Sequence, residues 1–517
     1  MEKLLLGIDI GTTGAKAALF DIEGNLQTIG QAEYPLRHLH PGWAEQDPED
    51  WWQAACVAIK QALKNIPEGA QRVAGVAVSS QAPTMLPLDR YGKPVRPALI
   101  WMDRRAEAEA IQLKERFGEE LIETVTGNRA DPFYVAAKIL WYKTHEPDEF
   151  AQTHLFVQVN GYINYRLTDQ YSLDPVHAAL LELRDWQTGE WVPELCQLCG
   201  VEPRQFPPIL PGHHILGEIT PHAAEATGLI AGTPVMVGTV DGSAAALEAG
   251  AVESGIAAEM TGTSTVLLMP NDSGVIKPVF IAMPHCIPDK YLLLGAMAAS
   301  GASLRWYRDR FGKLEMEASS QLGVDAYDLL TLQASQIPPG SHGVIFLPYM
   351  MGERSPLWHT NARGVFFGLS LTTPRGAIIR SILEGIAFAL RHNLEVAQQV
   401  GVPIHEIRSV GGGTHSTLWN QIKADVLGLP ILIPRTSVGA PFADAFLVGM
   451  GLGIYTDIQS TLNQMIRIKT RYEPNMENQT VYTEMYGIFR NIYDKLREEF
   501  DRLASVNVGQ SPLLLKV

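Results

Sequence analysis

The sequence predicts an α/β protein of two related domains facing one cleft. Three observations lead there: a glycine-turned hairpin followed by strand, helix and strand at the start, a similar turn in the second half, and a length of 517 residues, longer than one compact core usually grows. The division is expected near residue 250, giving an N-terminal domain over 1–250 and a C-terminal domain over 251–517.

Residues 4–20 read LLLGIDIGTTGAKAALF. An apolar strand ends in Asp9, a Gly11-Thr12-Thr13-Gly14 turn follows, and Lys16 opens a second apolar strand. Glycines let a turn bring backbone N–H groups close to an anion, and the two threonines add hydroxyl donors beside Lys16. Asp9, delivered by the strand to the same place, suits a hydrated Mg²⁺ holding those phosphates. An ordinary hairpin uses the same turn residues for conformational reasons. Gly24-Asn25 marks the next turn and residues 26–34 a third strand. Asp47 caps a helix with Pro48 in its first turn, and Trp52, Ala55, Cys56, Ile59 and Leu63 share one face. Residues 73–79 read as a buried strand, so the sheet starts antiparallel and turns parallel after the crossover helix.

Pro207, Pro208, Pro211, Gly212 and Gly217 predict irregular chain before a strand over 235–240. Residues 257–260 then lead into Thr261-Gly262-Thr263-Ser264 and the apolar 266–269, repeating the first turn's chemistry. Two such domains place both turns against one nucleotide. A strand over 344–347 and a long helix over 374–399 follow. Residues 407–410 run into Gly411-Gly412-Gly413, then Leu418, Ile422 and Val426 keep helical spacing up to Gly428, and 430–433 make a strand. Met485, Ile488, Ile492, Leu496 and Phe500 mark a packing helix over 481–503.

Apolar residues make up 46% and charged residues 19%, which excludes a disordered chain. A formal charge of −15 opposes nucleic acid or an anionic membrane as the main partner and favours small-molecule work. Asp9 interrupts the only apolar run near the start, so no secretory signal is expected there, no run spans a bilayer, and a cytoplasmic location follows. Four cysteines make no disulfide framework, and Cys196 and Cys199 read as two buried thiols on a helix rather than zinc ligands.

Asp241 follows the apolar 234–240 and precedes a helix start. It suits an N-cap and equally a general base that takes the proton of a substrate hydroxyl attacking phosphorus. Neither a GK[ST] ending nor a GxGxxG follows the first strand.

GIDIGTTGAK, TVDGSAAA, MTGTST and GGGTHSTLWNQIKADVLGLPI, in this order, resemble the two phosphate loops, the catalytic-aspartate segment and the adenosine segment of the FGGY carbohydrate kinases. TGNRADPFYVAAKILWYKTHEP and RGVFFGLSLTTPRGAIIRSILEGIAFALR resemble further family segments, so the likeness covers nearly the whole chain. It implies two actin-like ATPase (ribonuclease H-like) domains around a central cleft, with ATP and Mg²⁺ as cofactors. Asp241 would be the base and would share the metal with Asp9. Gly11, Thr12, Thr13, Lys16, Gly262, Thr263 and Ser264 would hold phosphates, and Gly411, Gly412, Gly413 and Ser416 would face the adenosine.

The family lines its sugar pocket with the places held here by Gln81 and by Trp101, Asp103 and Arg104; Asp174 reaches in as well. A polyol needs many hydrogen bonds and one flat apolar wall, which these residues supply. Ala82-Pro83 stands where xylulose kinases often show Met-His, Gly242 replaces an amide, Val135 and Tyr142 depart from one signature, and Ala377 from another. These departures bear on substrate, and D-xylulose becomes doubtful. The expected activity is ATP-dependent phosphorylation of a small sugar, ketose, polyol or sugar acid, with room for a homodimer. The alternatives are an actin-like or chaperone-like ATPase and a catalytically silent sugar-binding relative.

Overall fold

Covered on both faces, the first strand anchors a mixed sheet. In the computed structural model, which describes residues 2–40, 42–272, 274, 276–435 and 438–506, β1 (Leu4–Ile10) buries every residue except Asp9, which is half-buried. It pairs antiparallel with β2 (Gly14–Asp21), which pairs with the edge strand β3 (Leu26–Glu33). The helix α1 (Pro48–Lys64) crosses over, capped where Asp47 accepts from the Glu49 N–H at 3.0 Å, and returns the chain to β4 (Val73–Ser80), parallel to β1. The predicted switch from antiparallel to parallel is present.

The stretch 207–217 is not wholly irregular. Its end forms the edge strand β5 (Ile215–Glu218), antiparallel to β6 (Pro234–Met236). Ile215 is exposed, so pairing rather than an apolar pattern makes this strand. The strand expected over 235–240 breaks into β6 and β7 (Thr239–Val240), both paired with β4, because Gly238 lies so close to β4 that a Cβ there would stand 1.8 Å from the Val78 carbonyl oxygen. The helix α2 (Asp241–Glu248) follows directly.

The second unit repeats the scheme. β8 (Gly255–Thr261) and β9 (Thr265–Pro270) form the hairpin, β10 (Tyr291–Met297) extends the sheet, and α3 (Ser300–Phe311) and α4 (Arg375–Gln399) precede β11 (Ile404–Val410), parallel to β8. After Gly411 to Gly413 comes α5 (Thr417–Leu427), stopped by Gly428 at φ +66°, then β12 (Ile431–Pro434) parallel to β11. The chain next supplies α6 (Pro441–Gly451), then β13 (Ile468–Tyr472) and α7 (Met476–Ser505). In α7 the buried face is aromatic: Tyr482, Tyr486 and Phe489 pack on Phe388 of α4, while Ile488, assigned to the buried face from spacing, is exposed.

The chain does not divide at a single point. One compact unit gathers Met1–Glu248, Ile276–Leu292 and Val438–Ile466, and the other Ala249–Val275, Leu293–Ser437 and Arg467–Val517. The return of α6 to the first unit has a local cause. α6 packs on β1 and β4, and a Cβ on Gly7 would stand 1.9 Å from the Pro441 carbonyl oxygen, so β1 carries glycine where the helix touches it. Cys196 and Cys199 lie buried as free thiols on the helix Pro193–Cys199.

Gly7→Ala has no room to relax against backbone, and we expect it to cost about 3 kcal/mol, read from the urea-unfolding midpoint of the full chain. Gly487→Ala, at an exposed turn of α7 with no atom within 4 Å, should instead stabilise by about 0.5–1 kcal/mol.

Candidate active site

Asp9, near the end of β1, and Asp241, directly after β7, are two carboxylates of the first unit whose charges interact. Asp9 stands opposite Lys16 in the β1–β2 register and opposite Ser79 in the β1–β4 register. Ser79 Oγ lies 3.4 Å from Asp9 Oδ1 and 2.6 Å from Asp444 Oδ2 on α6. Asp241 opens α2, and its Oδ1 accepts from the Gly242 N–H at 2.7 Å. Burial pushes the Asp9 carboxyl up to about 6, against the pull of Lys16 and Ser79. Burial and then the charge of Asp9 push Asp241 up to about 7. Two oxygen donors that repel each other, beside a lysine, fit a hard divalent cation and phosphate oxygens better than they fit being left alone.

The first turn is held from several sides. Gly11 N–H donates to the Gly14 carbonyl at 3.0 Å, and the Tyr34 hydroxyl donates to the Gly11 carbonyl. Thr12 accepts at Oγ1 from Trp101 Nε1 at 3.0 Å and at its carbonyl from Gln46 Nε2 at 2.7 Å. Gln46 Oε1 in turn accepts from Trp51 Nε1 at 2.9 Å and from Gln81 Nε2 at 2.6 Å. Gln81 and Trp101, assigned to the sugar side, are thereby wired to the turn assigned to phosphate. Thr13 and Lys16 are exposed.

Asp103 and Asp174 are buried and committed to protein groups. Asp103 pairs with Arg105 at 2.8 Å and accepts from the Ala44 N–H at 2.6 Å. Asp174 caps a short helix through the Val176 and His177 N–H groups, and His177 Nδ1 meets its other oxygen. Both fix backbone. Arg104 and Trp101 are half-buried, Arg104 bonded to Asp131 at 2.6 Å.

In the second unit, Gly262 N–H donates to the Ser264 carbonyl at 2.9 Å, and α3 begins against this turn: Ala302 N–H donates to the Thr263 carbonyl at 2.9 Å and Arg305 to Thr263 Oγ1 at 3.1 Å. Gly411 and Gly413 press on Thr261, a Cβ at either meeting it within 2.9 Å, whereas Gly262 and Gly412 face open space. Ser416 caps α5 by accepting from the Trp419 N–H at 3.2 Å. The glycines available to a ligand are therefore Gly262 and Gly412.

Family profiles match both units: the N-terminal domain of the FGGY family of carbohydrate kinases over residues 4–248, and the C-terminal domain of that family over 257–445. The chain belongs to the FGGY carbohydrate kinases. Among its relatives, a xylulose kinase of Bacillus subtilis is 29% identical over 96% of this chain and 98% of its own length. A gluconokinase of the same organism is 28% identical over 98% and 99%. The crystal structure of a xylulose kinase from Rhodospirillum rubrum superposes with a TM-score of 0.89 at 30% identity, covering 97% of this chain and all of that one. The FGGY chain thus has the paired actin-like fold and is a carbohydrate kinase. None of its described helices is long and apolar enough to cross a membrane.

Sequence reading missed Tyr34, Gln46, Glu248, Arg305 and Asp444. Asp444 left a signal, a lone carboxylate in the apolar run PFADAFLVGMG. Glu248 is also buried, accepting from the Val438 and Gly439 N–H groups at 2.6 and 2.8 Å, and burial pushes it up to about 7.

Burial holds the Asp444 carboxyl well above the usual carboxylate range, with Ser79 opposing and Asp9 adding. A carboxyl raised on folding holds its proton more tightly in the folded state, so its destabilising effect is absent below about pH 4 and grows as pH rises toward the folded value. Asp444→Asn imitates the protonated form. We expect its thermal midpoint to exceed that of the unsubstituted chain by a margin that widens from pH 4 to pH 8; a margin indifferent to pH would contradict this.

Proposed function

We propose that this kinase transfers the γ-phosphoryl group of Mg·ATP to a hydroxyl of a small sugar, ketose, polyol or sugar acid, with Asp241 as general base. The observation that carries the reading is the state of Asp241. A half-buried carboxylate held near neutrality by burial and by Asp9, with one oxygen on the Gly242 N–H, is matched to taking a proton near pH 7. As the substrate oxygen attacks phosphorus, Asp241 accepts its proton and ADP departs. Asp9, with Asp241 beside it, would hold the Mg²⁺, which when bound neutralises phosphate charge.

Gly11, Thr12, Thr13 and Lys16 serve the phosphates in this reading, as do Gly262, Thr263 and Ser264. Gly412 faces the adenosine, with Gly411, Gly413 and the cap Ser416 shaping the loop around it. On the sugar side, Trp101 and Arg104 are the residues a polyol reaches, while Gln81, Asp103 and Asp174 hold the walls. The two relatives named above differ in substrate, one a ketose and one a sugar acid, so the acceptor class stays broad.

Measuring ADP release with and without a panel of polyols, ketopentoses and aldonates tests the reaction; release that ignores every acceptor would refute it. Asp241→Asn should bind ADP as the unsubstituted enzyme does and lose about two orders of magnitude or more in turnover. Gly262→Ala meets no protein atom within 4 Å, so stability should stay within about 0.5 kcal/mol while the KM for ATP rises.

A further inference from the structure

The two hairpins differ at one buried layer. In the first unit Ile8 of β1 stands opposite Val78 of β4, both fully buried. The corresponding positions in the second unit, two residues in from the end of β8, hold Glu259 opposite Ser409. A charged residue has replaced an aliphatic one in the core, and the surroundings answer it completely. Glu259 Oε1 accepts from Lys423 Nζ of α5 at 2.8 Å and from the Thr261 hydroxyl, and Oε2 accepts from Ser409 Oγ at 2.5 Å. Side-chain exposure is 1% for Lys423 and 0% for Glu259. Lys423 also lies 4.8 Å from the ring centre of Trp419.

A buried ion pair rarely adds stability over apolar side chains of the same volume, so its retention calls for another reason. The reason lies in Thr261. Its hydroxyl is oriented by Glu259 and by Thr265 Oγ1 at 2.8 Å. Its side-chain carbons back directly onto Gly413, and its carbonyl onto Gly411. Gly262, open to solvent, is the next residue. α5, which carries Lys423, begins at Thr417, one short turn after the glycine run. The circuit is closed: β8, Thr261, the glycine run, α5, Lys423, Glu259, and back to β8.

We infer that Glu259 and Lys423 are positioning residues for the nucleotide, the buried pair holding the turn Thr261 to Ser264 and the run Gly411 to Gly413 in one frame through Thr261. This inference rests on the nucleotide role proposed above for those two loops. It separates orientation from stability. Lys423→Met leaves the Glu259 carboxylate buried without its cation; replacing both partners with methionine removes the unpaired charge but also the acceptor that orients Thr261.

The test uses the full chain in three forms, the unsubstituted protein, Lys423→Met, and the double variant Glu259→Met with Lys423→Met. Calorimetric titration with ADP, the KM values for ATP and for sugar, and the thermal midpoint are measured on each. We expect Lys423→Met to lower the midpoint and weaken ADP at least tenfold. The double variant should regain the midpoint yet stay at least tenfold weaker for ADP and raised in KM for ATP, with the KM for sugar unchanged within twofold. Full recovery of ADP affinity in the double variant would overturn the inference, leaving a merely structural pair. Equal loss for ATP and sugar would overturn it too. If Lys423→Met does not fold, the double variant decides alone. Absence of ADP binding to the unsubstituted protein would instead overturn the nucleotide reading itself, and this inference with it.

Discussion

Burial of Asp9 and Asp241, which raises both carboxyls, is the constraint on which the chemistry proposed for the first unit depends. Burial raises both carboxyls, and the charge of Asp9 adds to the cost of ionising Asp241. A solvated pair would titrate near 4 and make poor proton acceptors at neutral pH. Burial alone would leave an inert acid. Burial opposed by Lys16 and Ser79 leaves Asp9 at about 6, and burial with the charge of Asp9 leaves Asp241 at about 7, where charge state responds to what binds.

Holding such groups requires a stiff frame, and the packing of β1 provides it. With α1 over one side of the sheet and α6 over the other, β1 cannot shift without displacing a helix. Gly7 lets the α6 backbone approach, and that approach brings Asp444 to Ser79 and so to Asp9. Thr12 is gripped in the same manner by Trp101 and Gln46, which ties the turn to two distant segments of the first unit.

The hairpin of the second unit carries different side chains at matching positions. Where β1 presents Asp9 one residue before its end, β8 presents Met260, so this position carries a carboxylate in the first hairpin and not in the second. Where β1 has Ile8, β8 has Glu259. One copy invests its polar residues at the surface of the turn, the other beneath it.

The local elements were legible in the sequence because local forces make them. The β1 and β2 hairpin, the Asp47 cap, the Gly428 stop and both glycine turns follow from apolar runs and turn residues that act within a few positions. Hairpin chemistry repeated in two halves was enough to expect two related domains. The departures arise where distant chain intervenes: Gly238 splits a strand because Val78 lies behind it, Ile215 joins a sheet through its neighbour, and α7 buries its tyrosines because Phe388 waits there. Asp103 and Asp174 could be picked out as carboxylates near a pocket, but only the folded chain shows Arg105 and His177 claiming them. The sequence by itself determined the hairpins, their turns and the placing of Asp9 and Asp241 at the ends of two expected strands, since those depend on near neighbours. Tertiary structure decided which glycines face open space and that Asp444 and Lys423 stand behind the loops, since burial and contacts such as Ser79 with Asp444 and Glu259 with Lys423 join segments far apart in the chain.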